Sequence, residues 1–360
     1  MSQMFTLSNN HGSITIDPAL GQLFEVFLTD GERLIAPLNR APWVDDPAIQ
    51  ADPSLLPIEK RLGGDFFCAP FGGSEIDGVP NHGHTANSPW DIEAREAAQV
   101  TMRSAFPILG ATVRKRVQLG ADAPLIYQEH WIEGGEGKLP VAHHPMTRLA
   151  GRGRLSCSPK RMIRGRKTPL DPGFNRLAVG VQTQDLTAFP AADGGTVDLT
   201  HQPIGTRHED MVVMIEAEDS LLGWTAILRE AEDDIVFVLK HPRILPSTML
   251  WFSNGARDYA PWNGQHTGVI GIEDGRALGG EPGSNAAGPN PVNALGVPTV
   301  FDLSPGTTHR IPHVIGAIAR PAGWDMVENI EIDGAHLILT GSNGAQYGLP
   351  FHAGFFEEDG

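Results

Sequence analysis

Three places in this 360-residue chain combine titratable side chains with a strand-end or glycine context. The first is Asn81-His82-Gly83-His84, the second His143-His144-Pro145, and the third Glu273 within GVIGIEDG. Imidazoles change charge near neutral pH and serve as acid or base. A carboxylate positioned beside them completes a proton-transfer set. On an extended strand Glu273 shares a face with Val269 and Gly271, while Ile270 and Ile272 point the other way. Gly271 then leaves room beside the carboxylate, and Asp274-Gly275 ends the strand. The histidines belong to a glycine-rich stretch, residues 62–90, LGGDFFCAPFGGSEIDGVPNHGHTANSPW. Its glycines let backbone approach a ligand closely, and Trp90 offers a flat apolar face with one N–H donor. A second aromatic segment, WFSNGARDYAPWNGQH at 251–266, supplies Asp258, Trp262 and His266 as a stacking face with polar forks.

The order Gly63-Gly64, Pro70-Phe71-Gly72-Gly73, His82-Gly83, Trp90 resembles the aldose 1-epimerase (galactose mutarotase-like) superfamily. It is closest to the branch with hexose-6-phosphate mutarotases, whose pattern runs Arg-Gly-Gly, Pro-x-Phe-Gly, His-Gly-Phe-Ala-Arg, Trp. Here Leu62 stands at the arginine position with Arg61 one step earlier, His84 replaces the phenylalanine, and Ala86 the last arginine. Further along, the likeness continues through His144, Glu273 and Leu303-Ser304-Pro305-Gly306, with Asp274 where the family carries proline.

The resemblance implies a sugar anomer exchange that needs no cofactor. A base takes the proton of the anomeric hydroxyl while an acid protonates the ring oxygen, and the roles then reverse. By the resemblance Glu273 is the base, His144 the acid, and His82 a hydrogen-bonding partner near the ring oxygen. His84, Arg61, Trp90, Asp258, Trp262 and His266 are the expected substrate-binding residues. His143 faces away from His144 on a strand and reads as structural. Leu62 in place of arginine leads to the expectation that neutral sugars bind at least as well as their 6-phosphates. The basic run at 151–167, GRGRLSCSPKRMIRGRK, reads as a solvated surface loop, with an anion-binding lip as the other reading.

Two other functions use the same residues. One is a non-catalytic sugar-binding protein, which needs only the aromatic and polar lining. The other is a cupin-like metal-dependent isomerase with His82, His84, His144 and Glu273 as ligands. No compact barrel motif accompanies those ligands, so no metal is assigned.

The elements that must hold these residues read as strands. The 42 glycines and 29 prolines, with few helical runs, favour an all-β protein. Alternation at residues 12–37 and 112–119, strand-like composition at 125–133 and apolar runs from residue 211 to 252 fit a large antiparallel two-layer β-sandwich, which the resemblance makes of the mutarotase-like supersandwich type. Asp30-Gly31 and Asp333-Gly334 mark hairpins. Residues 38–60 read as a long loop with at most a short helix at 53–60. Residues 185–205 read as an excursion from the sheet. Residues 281–298 read as a long loop near the site or an oligomer contact. No linker or repeat divides the chain, so residues 1–360 read as one domain.

A net charge of −16 argues against nucleic acid and anionic membrane as partners. Two cysteines, Cys68 and Cys157, do not make a disulfide scaffold. The start MSQMFTLSNNHGSITI lacks a basic-then-apolar signal, and no apolar stretch reaches membrane-spanning length. The expectation is a cytoplasmic protein, monomer or homodimer, whose partner is a small carbohydrate.

Overall fold

Alternating apolar residues build two large antiparallel sheets in the computed structural model, which describes residues 3–281 and 283–357. The first sheet has, from edge to edge, Gln182–Thr183, Lys160–Gly165, His208–Glu216, Ser247–Asn254, Val269–Arg276, Val141–His143 and Phe67–Cys68, with Met146–Arg148 also pairing with Val269–Arg276. The second runs His201–Gln202, Gly153–Cys157, Gly223–Arg229, Asp234–Lys240, Thr308–Ala319, Leu125–Gly134, Ala111–Leu119, Gln99–Ser104 and Trp90–Arg95. One apolar cluster fills the space between them, with Ile163, Val212, Leu250, Ile270 and Ile272 from the first sheet meeting Val113, Ile126, Ile227, Val238 and Ile315 from the second. This is the expected all-β sandwich.

Each sheet is also covered on its outer face. The meander Val327–Asp333, His336–Gly341, Gln346–Pro350 lays Val327, Ile330, Leu337 and Leu339 on Trp224, Phe237 and Val314 of the second sheet. Over the first sheet lie loops that bring Trp43, Ile58, Leu62, Trp262, Leu278 and Val292 against Met162, Val213, Met249 and Trp251. Two of these covering elements are short helices, Pro47–Ala51 and Pro57–Lys60, inside the region expected to be mainly loop. The 281–298 segment includes the helix Gly283–Ala287 and a 3₁₀ turn at Asn293–Leu295, with residue 282 outside the described residues.

The first sheet fixes the register that matters. Ile270 and Ile272 enter the inter-sheet core, whereas Val269 packs in the outer cluster. A slip of one residue would drive Glu273 into that core and expose two isoleucines, each contributing about 1.5–3 kcal/mol by burial. Glu273 is therefore held on the outer side. Both expected hairpins form, with Thr29 paired to Leu34 around Gly31 and Asp333 paired to His336 around Gly334. Cys68 and Cys157 are free thiols. No helix among the described residues is long and apolar enough to cross a membrane.

Candidate active site

The outer face of the first sheet and its covering loops enclose a cleft of about 360 Å³. His82, His144 and Glu273 all line it, together with Phe66, Phe71, Asn81, Arg166, Trp251, Arg257, Tyr259 and Trp262. Three chain segments separated by some sixty and some hundred and thirty residues thus meet around one space.

Glu273 comes from the strand Val269–Arg276, opposite Met249 of its neighbour. Gly271 sits two residues before it on the same face, and a Cβ added there would lie 2.9 Å from Glu273 Oε1 and 3.2 Å from Trp251 Cε3. The glycine gap expected from sequence is therefore the volume into which the carboxyl folds. Glu273 is buried, and neither of its oxygens has a hydrogen-bond partner among the described residues. His144 Nε2 stands 3.2 Å from Glu273 Oε1, off the line of a hydrogen bond. Burial raises the Glu273 carboxyl well above the usual carboxylate range, and the Arg166 guanidinium opposes that rise only in part.

His144 follows the strand Val141–His143, and its ring stacks on Phe66 at 4.5 Å and meets Trp251 edge-on at 5.7 Å. Its backbone N–H donates to Asp65 Oδ1 at 2.9 Å. Burial, then the nearby His82, push its imidazole down to about 3. His143 turns to the other side, as expected, where its ring packs on His313 at 4.1 Å and faces Asp65 Oδ2 at 3.5 Å.

His82 owes its place to backbone rather than to a strand. It adopts φ 64°, its N–H donates to Gly72 O at 3.1 Å, and Gly83 follows at φ 76°. A Cβ on Gly83 would stand 2.0 Å from Ala69 O, so only glycine fits. The His82 ring lies 5.5 Å from that of His144, and its Nδ1 faces Cys68 Sγ at 3.4 Å. Burial pushes His82 down to about 4.

Of the expected substrate-binding residues, Trp262 lines the cleft, with Arg257 over its ring at 4.3 Å. The other five lie elsewhere. Trp90 is buried in the inter-sheet core, donates its indole N–H to Thr85 O at 3.0 Å, and has Gly21 packed against its ring. His84 opens a single helical turn, His84–Asn87, which aims its ring at Phe106 at 5.0 Å. That turn carries His84 away from the cleft that His82, His144 and Glu273 line, so the four-ligand metal set does not assemble among the described residues. Arg61 is bound to the buried Asp17 instead of facing the cleft. Asp258 is exposed outside the cleft, 3.9 Å from Arg207. His266 is buried behind Trp251, stacked on it at 5.4 Å and bonded through Nδ1 to Ser253 Oγ at 2.8 Å. It supports the Trp251 wall and does not reach the space itself.

Sequence reasoning missed Arg166, Arg257 and the buried Glu209. Glu209 accepts the Trp251 indole N–H at 2.6 Å and the Ser253 hydroxyl at 3.0 Å, and pairs with Arg257 at 3.2 Å. Arg166 was visible only as the last arginine of the basic run. The group that does bring metal-type donors within reach, Asp65, His143 and His313, lies between the sheets behind the site. Its two imidazoles stack with ring planes 15° apart, and for parallel rings one ion cannot lie in both planes, as imidazole ligation requires.

The fold of the chain is similar to that of solved galactose mutarotase-like proteins. A galactose mutarotase related enzyme from Lactobacillus acidophilus superposes with a TM-score of 0.57 at 12% identity, over 89% of this chain and 99% of its own. A galactose mutarotase-like protein from Lactobacillus casei gives 0.54 at 14% identity, over 88% and 100%. The Slr1438 protein from Synechocystis sp. PCC 6803 gives 0.57 at 15%, over 89% and 96%. No protein-family profile and no curated protein sequence matches the chain.

Proposed function

We propose that this chain, as one domain, is an aldose 1-epimerase-like enzyme that interconverts sugar anomers, with Glu273 and His144 moving the protons. The observation that carries the reading is their opposition at 3.2 Å in a sugar-sized cleft, with no other partner for either Glu273 oxygen among the described residues. Burial disfavours charge on both groups, so the site favours a protonated carboxyl beside a neutral imidazole. That pair holds one transferable proton. When a pyranose places its anomeric hydroxyl and ring oxygen between the two, one group accepts the hydroxyl proton as the other protonates the ring oxygen. The ring opens, C1 rotates, and the reverse transfers close it on the other face. His82 donates to or accepts from the sugar near the ring oxygen. Trp262 and Trp251 supply the apolar face, and the cytoplasm is the setting this reading implies.

Anomer exchange measured by NMR over a panel of free aldoses tests it. Exchange above the spontaneous background for at least one sugar is expected. Measurable binding with exchange at background for every sugar would replace the enzyme with a non-catalytic sugar-binding protein.

A further inference from the structure

We propose that the protein has a second ligand site, remote from the cleft, that takes a small molecule with two or more anionic groups, phosphates or carboxylates, and that Arg152 and Arg154 hold it. The site is a pocket of about 740 Å³ where the edge of the second sheet meets the turn leading into the C-terminal meander. None of the residues that line it lines the cleft.

The basic run at 151–167 is not one loop. It contributes the strand Gly153–Cys157 to the second sheet and Lys160–Gly165 to the first. Several of its later cations are balanced: Lys160 meets Glu216 at 2.6 Å, Arg161 meets Glu218 at 3.8 Å, and Arg164 and Lys167 share Glu281 at 3.2 and 3.5 Å. Arg152 and Arg154, at its start, line the pocket and have no carboxylate within 4 Å among the described residues. Arg154 pairs across the sheet with Leu228, so its side chain leaves on the side that the meander covers. There Nη1 donates to His201 Nε2, and Met326 Sδ lies 3.8 Å from Nη2. A guanidinium only donates, so His201 Nε2 accepts and its Nδ1–H donates to Asp198 Oδ2 at 2.7 Å. The Arg154 Nε is buried without a partner among the described residues.

The backbone between the two arginines is pinned. Gly153 pairs with Gln202 on one side and Arg229 on the other, and a Cβ there would lie 2.2 Å from Leu149 Cδ2 and 2.7 Å from Leu228 O. The Arg152 carbonyl accepts the Glu230 N–H at 3.0 Å. A third guanidinium, Arg320, enters from the turn, donating through Nε to Trp324 O at 2.6 Å and pairing with Asp325 at 3.1 Å. The carboxylates in the lining are Asp325, already engaged by Arg320, and Glu230. Guanidiniums thus outnumber carboxylates in this one concavity, although the whole protein carries a net charge of −16. A concave wall focuses the field of such an excess. Planar forks on two walls match a ligand with more than one anionic group.

Calorimetry on the whole chain at low salt, with pyrophosphate and with citrate, tests the site. At least one of them should bind with a Kd of about 1 mM or tighter, and added salt should weaken it. The tighter of the two separates phosphate from carboxylate. On wild type the amide NMR shifts should map to Gly153, His201 and Leu228, and not to His82 or Glu273. Arg152→Gln combined with Arg154→Gln should weaken binding about tenfold or more, the scale of a charged hydrogen bond. Glu230→Gln should tighten it about twofold or more by removing a competing carboxylate, and Arg166→Gln in the cleft should leave it unchanged. Binding of neither anion up to about 10 mM would overturn the proposal. So would shifts confined to the cleft, or affinity that is lost in Arg166→Gln and kept in the double variant. The shift map is read on wild type and requires no variant to fold.

Discussion

Gly271→Ala is the sharpest structural perturbation of the proposed chemistry, because it moves a carboxylate without touching its identity. Gly271 is in ordinary extended backbone in a strand interior, paired with Trp251 and Met146, so alanine is conformationally allowed. Its methyl would stand 2.9 Å from Glu273 Oε1, about 0.5 Å short of ordinary contact. It would also stand 3.2 and 3.3 Å from Trp251 Cε3 and Cβ. Trp251 is pinned by its bond to Glu209 at 2.6 Å and by the stacked His266. The Glu273 carboxyl has no hydrogen bond from the described residues to hold it, so it is the group that yields. Displacement on that scale spoils a near-attack geometry and should slow anomer exchange about ten- to a hundredfold, or about 1.4–2.7 kcal/mol. Sugar affinity should stay within about threefold. Stability should change little, since alanine is favoured over glycine in a strand by about 0.5–1 kcal/mol, which offsets the crowding. The assay is two-dimensional exchange NMR at saturating sugar, with calorimetry for affinity and a thermal melt for folding. In a Glu273→Gln background the same change should add almost no further loss, because both act through one group. A folded Gly271→Ala protein exchanging anomers at the wild-type rate would refute the reasoning.

Other consequences follow from the same groups. His143, His144 and His266 are buried neutral, with their imidazoles pushed down to about 4, 3 and 3 from 6.5. The unfolded chain then binds protons that the folded one refuses, so their contribution to stability is complete above pH 6.5 and is lost as pH falls toward 4 to 3. Each should cost about 2 kcal/mol by pH 5, with the raised Glu273 opposing the trend, and melts between pH 8 and 4.5 should show the midpoint falling steeply below 6.5; a midpoint flat to pH 4.5 would contradict the buried-imidazole description. Trp262→Ala should weaken sugar binding about tenfold by removing a stacking face. Trp90→Phe should instead lower stability by about 1 kcal/mol through the lost bond to Thr85 O and leave sugar affinity unchanged, and the opposite pattern by calorimetry and melts would restore Trp90 to the site. Exchange rate against pH should hold steady well below the ordinary imidazole range and fall on the alkaline side as the Glu273 carboxyl ionises; a loss centred near pH 6.5 would place a normal, exposed histidine in the chemistry instead.

Some of this was legible in the sequence because it depends on local periodicity. The alternation Val269, Gly271, Glu273 against Ile270, Ile272 correctly gave two faces of one strand, and the same logic separated His143 from His144. Motif order identified the three segments that meet at the cleft. What failed were residues whose direction is set by tertiary packing. Trp90 looked like a stacking face because an indole reads the same in a core as in a site. His84 was assigned by adjacency, and only the φ of His82 and the turn after it send it away. Arg61 and His266 were plausible ligand groups until buried partners far along the chain, Asp17 and Ser253, claimed them. The same distance effect hid Arg166, whose place in the cleft is set by the fold of the chain around Gly279 and Gly280.

The most direct test of the central claim is the comparison of wild type with Glu273→Gln and His144→Asn in anomer exchange, each checked for folding and for sugar affinity. Glutamine keeps the size of the side chain but cannot carry the proton, and asparagine removes the imidazole facing it. The account predicts exchange slowed about a hundredfold or more in both, with affinity changed only a few-fold. Exchange that survives Glu273→Gln unchanged would contradict it.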